Sequence, residues 1–195
     1  MLSVIIPTDG GEQPVVATLA ALVPGAAAGV IREVLLVDRS GTDAIERVAD
    51  VAGCNFLPVK GSRAEALAAG ARHAKSDWLM FLHPGAVLDN GWIDETSQFV
   101  QAVAASGRLR AGVFRYARSP YMDASLGDAA KHFVRLLLRR PPVDQGLLIS
   151  RTHYDRLGGY SPTARRSEAK LLAHLGRSGR ALLRTRIFVP DRAAI

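Results

Sequence analysis

The 195-residue sequence predicts an α/β fold, with a mostly parallel central sheet and helices on both of its faces. Two observations predict it. Short β-branched runs alternate with segments of helical apolar spacing through the first 82 residues. The runs stop at turns bearing Gly, Pro or an acid, where a ladder cannot continue. That rhythm implies right-handed crossovers and a ligand crevice at the carboxyl ends of the strands.

The elements follow in order. Leu2-Ser3-Val4-Ile5-Ile6-Pro7 reads as a buried strand. Pro14 to Leu22 reads as a helix, ended by Pro24-Gly25. Glu33 to Asp38 is a second strand ending in an acid. Thr42-Asp43 is expected to cap a helix running to about Ala52, since either side chain can accept first-turn N–H groups. Asn55 to Val59 is a third strand, Ser62 to Ala74 an Ala-rich helix, and Asp77 to Leu82 a fourth strand that stops at His83-Pro84-Gly85.

The second half is less regular. Helices are expected from Gly91-Trp92 to Ala105, from Ala124 to Arg140, from Thr152 to Leu157 and from Ser167 to Arg180. Strands are expected at Gly112–Tyr116, Gly146–Ser150 and Ala181–Val189. No internal repeat or low-complexity linker interrupts the chain, and its length suits one domain, 1–195.

Charge divides the sequence. Residues 1–100 carry 7 basic and 12 acidic side chains, and residues 101–195 carry 18 basic and 6 acidic. Of the 25 basic residues 21 are Arg, a bias toward planar contacts with phosphate or carboxylate. A basic half fits a nucleic acid, an anionic membrane surface, a phosphate-bearing substrate, or a solvated surface of no further meaning. Nucleic acid is disfavoured, because no helix-turn-helix, zinc pattern or aromatic-interleaved basic strand is present. The single cysteine, Cys54, excludes a disulfide framework and a Cys-based zinc cluster. No run approaches the ~20 apolar residues of a membrane span. The first residues lack the basic start of a signal peptide, so a cytoplasmic protein is expected.

Taken together, several segments resemble a family 2 glycosyltransferase of the GT-A fold, a Rossmann-like architecture, over nearly the whole chain. They are Ser3-Val4-Ile5-Ile6-Pro7-Thr8, then Glu33 to Asp38 with Gly41-Thr42-Asp43, then Ala69-Gly70 with Asp77 to Leu82. Asp144-Gln145-Gly146 and Leu157-Gly158-Gly159-Tyr160 continue the series. Phe81-Leu82-His83 with Asp144-Gln145-Gly146 is most similar to the short cytoplasmic subgroup found beside radical-SAM and selenium genes. The resemblance implies transfer of a sugar from a nucleotide-sugar donor to an acceptor. It makes residues 1–90 the nucleotide-binding half and 91–195 the basic, acceptor-side half.

The sequence also departs from that pattern. Where the family has a carboxylate that holds a divalent metal (Mg or Mn) against the donor's diphosphate, this chain has Gly85. Asp89, the next acid, lies four residues on. Where the family opens a helix with two acids, one of them the base, this chain has Ser167-Glu168, and the acid expected one turn on is Lys170. The resemblance therefore implies a transferase with weak or no metal dependence, or a member that binds a nucleotide or partner without transferring sugar.

Candidate residues carry two readings each. Thr8 and Asp9 line a base pocket or serve turn chemistry with Gly10-Gly11. Asp38 accepts hydrogen bonds from ribose or base, or ends a strand as a turn residue. Arg63, opening the Ala-rich helix, pairs with a diphosphate or lies on the surface. His83 is a polar group beside the phosphates; one His without nearby carboxylates is a poor metal site. Glu168 is the general base, or a first-turn acid favoured by the helix dipole. Asp144 and Gln145 contact acceptor or donor sugar, or form a polar loop pair. Lys131, Arg135, Arg139 and Arg140 make a basic amphipathic face that suits peripheral contact with an anionic membrane, or simply a solvated helix.

Overall fold

The computed structural model describes residues 1–117, 146–164, 167–176 and 178–189. The first half alternates as the sequence predicts: β1 (Leu2–Thr8), α1 (Glu12–Ala27), β2 (Ile31–Asp38), α2 (Ala44–Ala52), β3 (Asn55–Pro58), α3 (Arg63–His73) and β4 (Trp78–Phe81). There follow β5 (Val87–Leu88), α4 (Trp92–Ser106), β6 (Ala111–Ala117), β7 (Leu147–Ser150), α5 (Arg151–Arg156), α6 (Ser167–Leu175) and β8 (Arg180–Phe188).

Among the described residues the strands form one eight-stranded sheet in the order β3-β2-β1-β4-β7-β6-β8-β5. Strands β1 to β4 are mutually parallel. β7 is inserted antiparallel between β4 and β6, and β5 runs antiparallel to β8 at the edge. β6 and β8 are parallel to each other. The fold is thus α/β, with a mostly parallel sheet.

Period-2 geometry divides the core, because successive strand side chains point to opposite faces. Val4, Ile6, Leu36, Met80 and Leu148 bury one face with Val15 and Leu22 of α1, Ile45 of α2 and Trp92 of α4. Ile5, Leu35, Val37, Leu79 and Ile149 bury the other with Leu67 of α3, Tyr154 of α5 and Leu171 of α6. α3 approaches β1 closely through Gly70, where an added Cβ would lie 2.5 Å from Ile5 Cγ2. Helices α3 and α6 therefore share one face, which puts their N-terminal turns beside the same strand ends.

Several local expectations are corrected. α1 starts at Glu12 and does not end before Pro24 but carries it inside. Pro24 lies in the last turn, where its missing N–H and its ring disturb little helix beyond it, and the helix closes later, with Ala28 N donating to Pro24 O at 2.9 Å and Val30 N to Gly25 O at 3.0 Å. Gly25 is needed there, since an added Cβ would meet the Trp92 ring at 2.3 Å. α2 has Asp43 at its N-cap without a side-chain capping bond. Thr42 is engaged instead with the Ser40 hydroxyl, at 2.9 Å. The helix expected over 167–180 stops at Leu175, because Gly176 turns to φ +61°. β5 was not expected: two residues carry no readable period. The helix expected over 124–140, with its basic face, lies outside the described residues. No helix among those described is long and apolar enough to cross a membrane.

Candidate active site

Two polar groups stand at the carboxyl ends of the parallel strands. The first surrounds Asp38, the last residue of β2, which is 2% exposed. One carboxylate oxygen accepts from Thr8 Oγ1 at 2.8 Å and from Gly10 N at 3.3 Å. The other accepts from Ser40 Oγ at 2.6 Å, Ser40 N at 3.0 Å and Gly41 N at 3.3 Å. Burial acts to raise the Asp38 carboxyl. The side-chain bonds from Ser40 and Thr8, with the Ser40 and Gly10 amides, outweigh it and hold it below the ordinary carboxylate range. Asp38 therefore ties together the loops that follow β1 and β2. Gly10 has φ +82°, and a Cβ there would come within 3.0 Å of Ser40 Cβ, so the loop closes on itself only with glycine.

Asp9 is exposed beside this group. Arg39 donates to Asp9 Oδ2 from Nη2 at 2.8 Å and reaches Gly61 O from Nη1 at 3.4 Å. It bridges the β1 loop to the turn that precedes α3. Sequence reasoning missed Arg39. Its position directly after a strand-ending acid was the available signal.

The second group joins Arg63, His83 and Glu168. Ser62 caps α3 in a reciprocal box: Glu65 N donates to Ser62 Oγ at 3.2 Å, and the Glu65 carboxylate accepts from Ser62 N. That box sets the first turn, where Arg63 stands. α6 opens with buried Ser167, whose Oγ accepts from Ser161 N at 2.6 Å, and Glu168 follows. Arg63 Nε donates to Glu168 Oε1 at 2.6 Å. His83, past the end of β4, places Nε2 at 3.9 Å from Glu168 Oε2. All three side chains are largely but not fully buried, with 23%, 14% and 16% exposed for Arg63, His83 and Glu168.

These side chains line one cleft with Leu67, Leu82 and Tyr160; Gly146 and Leu147 complete the wall. Tyr160 packs edge-on against Phe81 at 4.9 Å between ring centroids, and its N–H donates to the Tyr154 hydroxyl at 2.9 Å. Burial pushes the Tyr160 phenol well up, and the neighbouring Glu168 charge adds to that. Gly159 makes the approach possible: at φ +59°, a Cβ would lie 2.7 Å from the Tyr154 ring. Sequence reasoning placed Tyr160 in a motif but did not assign it to the site. The cleft encloses about 250 Å³, part of it open to solvent.

The donor set does not fit a divalent cation. Among the described residues no three His, Cys, Asp or Glu side chains come together. Gly85 is buried and uses its amide on Pro14 O at 2.8 Å. Asp89 is held by Arg186, at 2.7 Å to Nη2. The Arg63 guanidinium already occupies the Glu168 carboxylate, and a second cation there would face its charge. Asp144 and Gln145 lie outside the described residues.

No protein-family model matches the sequence, and no curated protein matches it. Solved structures do. A crystal structure of glucosyl-3-phosphoglycerate synthase from Mycobacterium tuberculosis, with Mn²⁺, UDP and glucosyl-3-phosphoglycerate, aligns at TM-score 0.64 and 18% identity, over 98% of this chain and 72% of that one. The same enzyme with UDP aligns at 0.65 and 17% identity, over the same shares. A crystal structure described only as that of a mycobacterial protein aligns at 0.66 and 19% identity, over 98% of this chain and 67% of that one. At these identities the likeness is one of fold: the chain has a glycosyltransferase-like fold.

Proposed function

We propose that the protein transfers a sugar from a nucleoside diphosphate donor to an acceptor hydroxyl, with Glu168 as general base. One observation carries the reading: Glu168, Arg63 and His83 converge in a cleft at the carboxyl end of β4, 105 positions of chain separating Arg63 from Glu168. Ligands of open parallel sheets lie along that edge. The glycosyltransferase-like fold supports the same reading, since the synthase of similar fold was crystallised with UDP.

The chemistry is an in-line displacement at the anomeric carbon. Glu168 accepts the acceptor's hydroxyl proton, the acceptor oxygen forms the new bond to that carbon, and the bond to the diphosphate breaks. The electron pair leaves with the diphosphate, whose charge Arg63 offsets and to which His83 offers a ring N–H. Thr8 and Asp38 act on the nucleoside by shaping the loops after β1 and β2, with Asp9 at their rim. No step is assigned to a metal ion. Asp144 and Gln145 are proposed for the acceptor side, from the sequence pattern alone.

A second reading, a nucleotide binder that does not transfer sugar, is favoured by the ion pair itself: the base oxygen Glu168 Oε1 is engaged by Arg63. One experiment separates the two. UDP-, GDP-, ADP- and dTDP-sugars are incubated with the protein and a panel of hydroxyl acceptors, and nucleoside diphosphate release is measured. Transfer that falls by roughly 10²–10⁴-fold in Glu168→Gln, with donor binding retained, is the expected result. Binding without turnover in the intact protein would establish the second reading.

A further inference from the structure

The Arg63–Glu168 pair poses a chemical problem for the reading above, and resolving it yields a further statement about the site. A carboxylate oxygen that already accepts from a guanidinium at 2.6 Å is not free to face an acceptor hydroxyl. Yet Arg63 is the cation placed to meet a diphosphate. The two demands on Arg63 cannot be met at once by one position of its side chain.

We propose that Arg63 exchanges partners: it holds Glu168 when the cleft is empty and moves onto the donor's diphosphate when a nucleotide sugar binds, releasing Glu168 to accept the acceptor's proton. This rests on the donor assignment under Proposed function. Three features support the exchange. A diphosphate carries more negative charge than one carboxylate and presents several oxygens, so it outcompetes Glu168 for a guanidinium fork. Arg63 stands in the first turn of α3 with 23% of its side chain exposed, on the wall of the cleft, so it swings without moving the helix. The capping box spends the Glu65 N–H on Ser62 Oγ, so the Arg63 side chain adds donors that the first turn of α3 has partly lost for an anion. The consequence is order: acceptor activation follows donor binding, and an acceptor alone meets a restrained base.

The exchange makes predictions of opposite sign for its two partners. UDP, GDP, ADP and dTDP are titrated by calorimetry in EDTA into the intact chain, Arg63→Gln, Glu168→Gln and the double variant, with thermal melts of each. Arg63→Gln is expected to weaken the bound diphosphate by about tenfold or more. Glu168→Gln is expected to tighten it by roughly three- to tenfold, because the competitor for Arg63 is gone. The double variant is expected to bind like Arg63→Gln, since Glu168 acts only through Arg63. Should Arg63→Gln fail to fold, Arg63→Lys, which keeps the charge and loses the fork, is expected to weaken binding in the same direction. A Glu168→Gln protein that binds no more tightly, or a double variant that still gains affinity, overturns the exchange and leaves the donor reading standing. Failure of all four nucleotides to bind the intact chain overturns both.

Discussion

Arg63 Nε and Glu168 Oε1 stand 2.6 Å apart, joining the first turns of α3 and α6 on one face of the sheet. The pair is a junction of two helices as well as a candidate reaction site, and the two roles separate by measurement. Both side chains retain some solvent, which screens their attraction. A double-mutant cycle on thermal stability with Arg63→Gln and Glu168→Gln is expected to give a coupling of about 0.5–1.5 kcal/mol. A coupling of several kcal/mol would mark the pair as a structural clamp and count against the partner exchange.

Metal dependence is the second test. The described residues offer no donor set for a divalent ion around His83. Sugar transfer measured in EDTA is expected to stay within about twofold of its rate in Mn²⁺. Complete loss on chelation, restored by Mn²⁺, would sink the metal-independent mechanism.

Acid stability is the third. The Asp38 carboxyl is lowered on folding, its hydrogen bonds outweighing burial. The unfolded chain, with an ordinary Asp pKa of about 3.9, binds that proton more readily. Asp38 therefore adds stability that is present above roughly that pH and lost as pH falls through the lowered value. Melts of the intact protein should fall more steeply below about pH 4 than those of Asp38→Asn. At neutral pH Asp38→Asn should cost about 2–4 kcal/mol, because its five donors lose a charged acceptor. Parallel pH curves for the two proteins would refute the assignment.

Packing beneath the site is the fourth. Gly70→Ala places a methyl group 2.5 Å from Ile5 Cγ2 and 3.1 Å from Val37 Cγ2. Both neighbours are buried in the sheet, so α3 must shift. The expected cost is about 1–3 kcal/mol, with weaker nucleoside diphosphate binding because Arg63 moves with the helix. Unchanged stability by chemical denaturation would show that α3 sits less tightly than described.

The order β-α-β-α-β-α-β, the parallel pairing of the first four strands and the gathering of Thr8, Asp38 and His83 at strand ends are written locally. Each depends on the period of neighbouring side chains and on where Gly, Pro and acids stop a run. Boundaries moved where a local rule met a tertiary one, as at Pro24, where closure at Gly25 against Trp92 lets α1 run on. The insertion of antiparallel β7 between β4 and β6, the bonds from Thr8 and Gly10 to Asp38 and the meeting of Arg63 with Glu168 were settled only by the tertiary structure. Such pairings join segments distant in sequence. Which of them meet depends on how two apolar faces are covered, and no window along the chain contains that information.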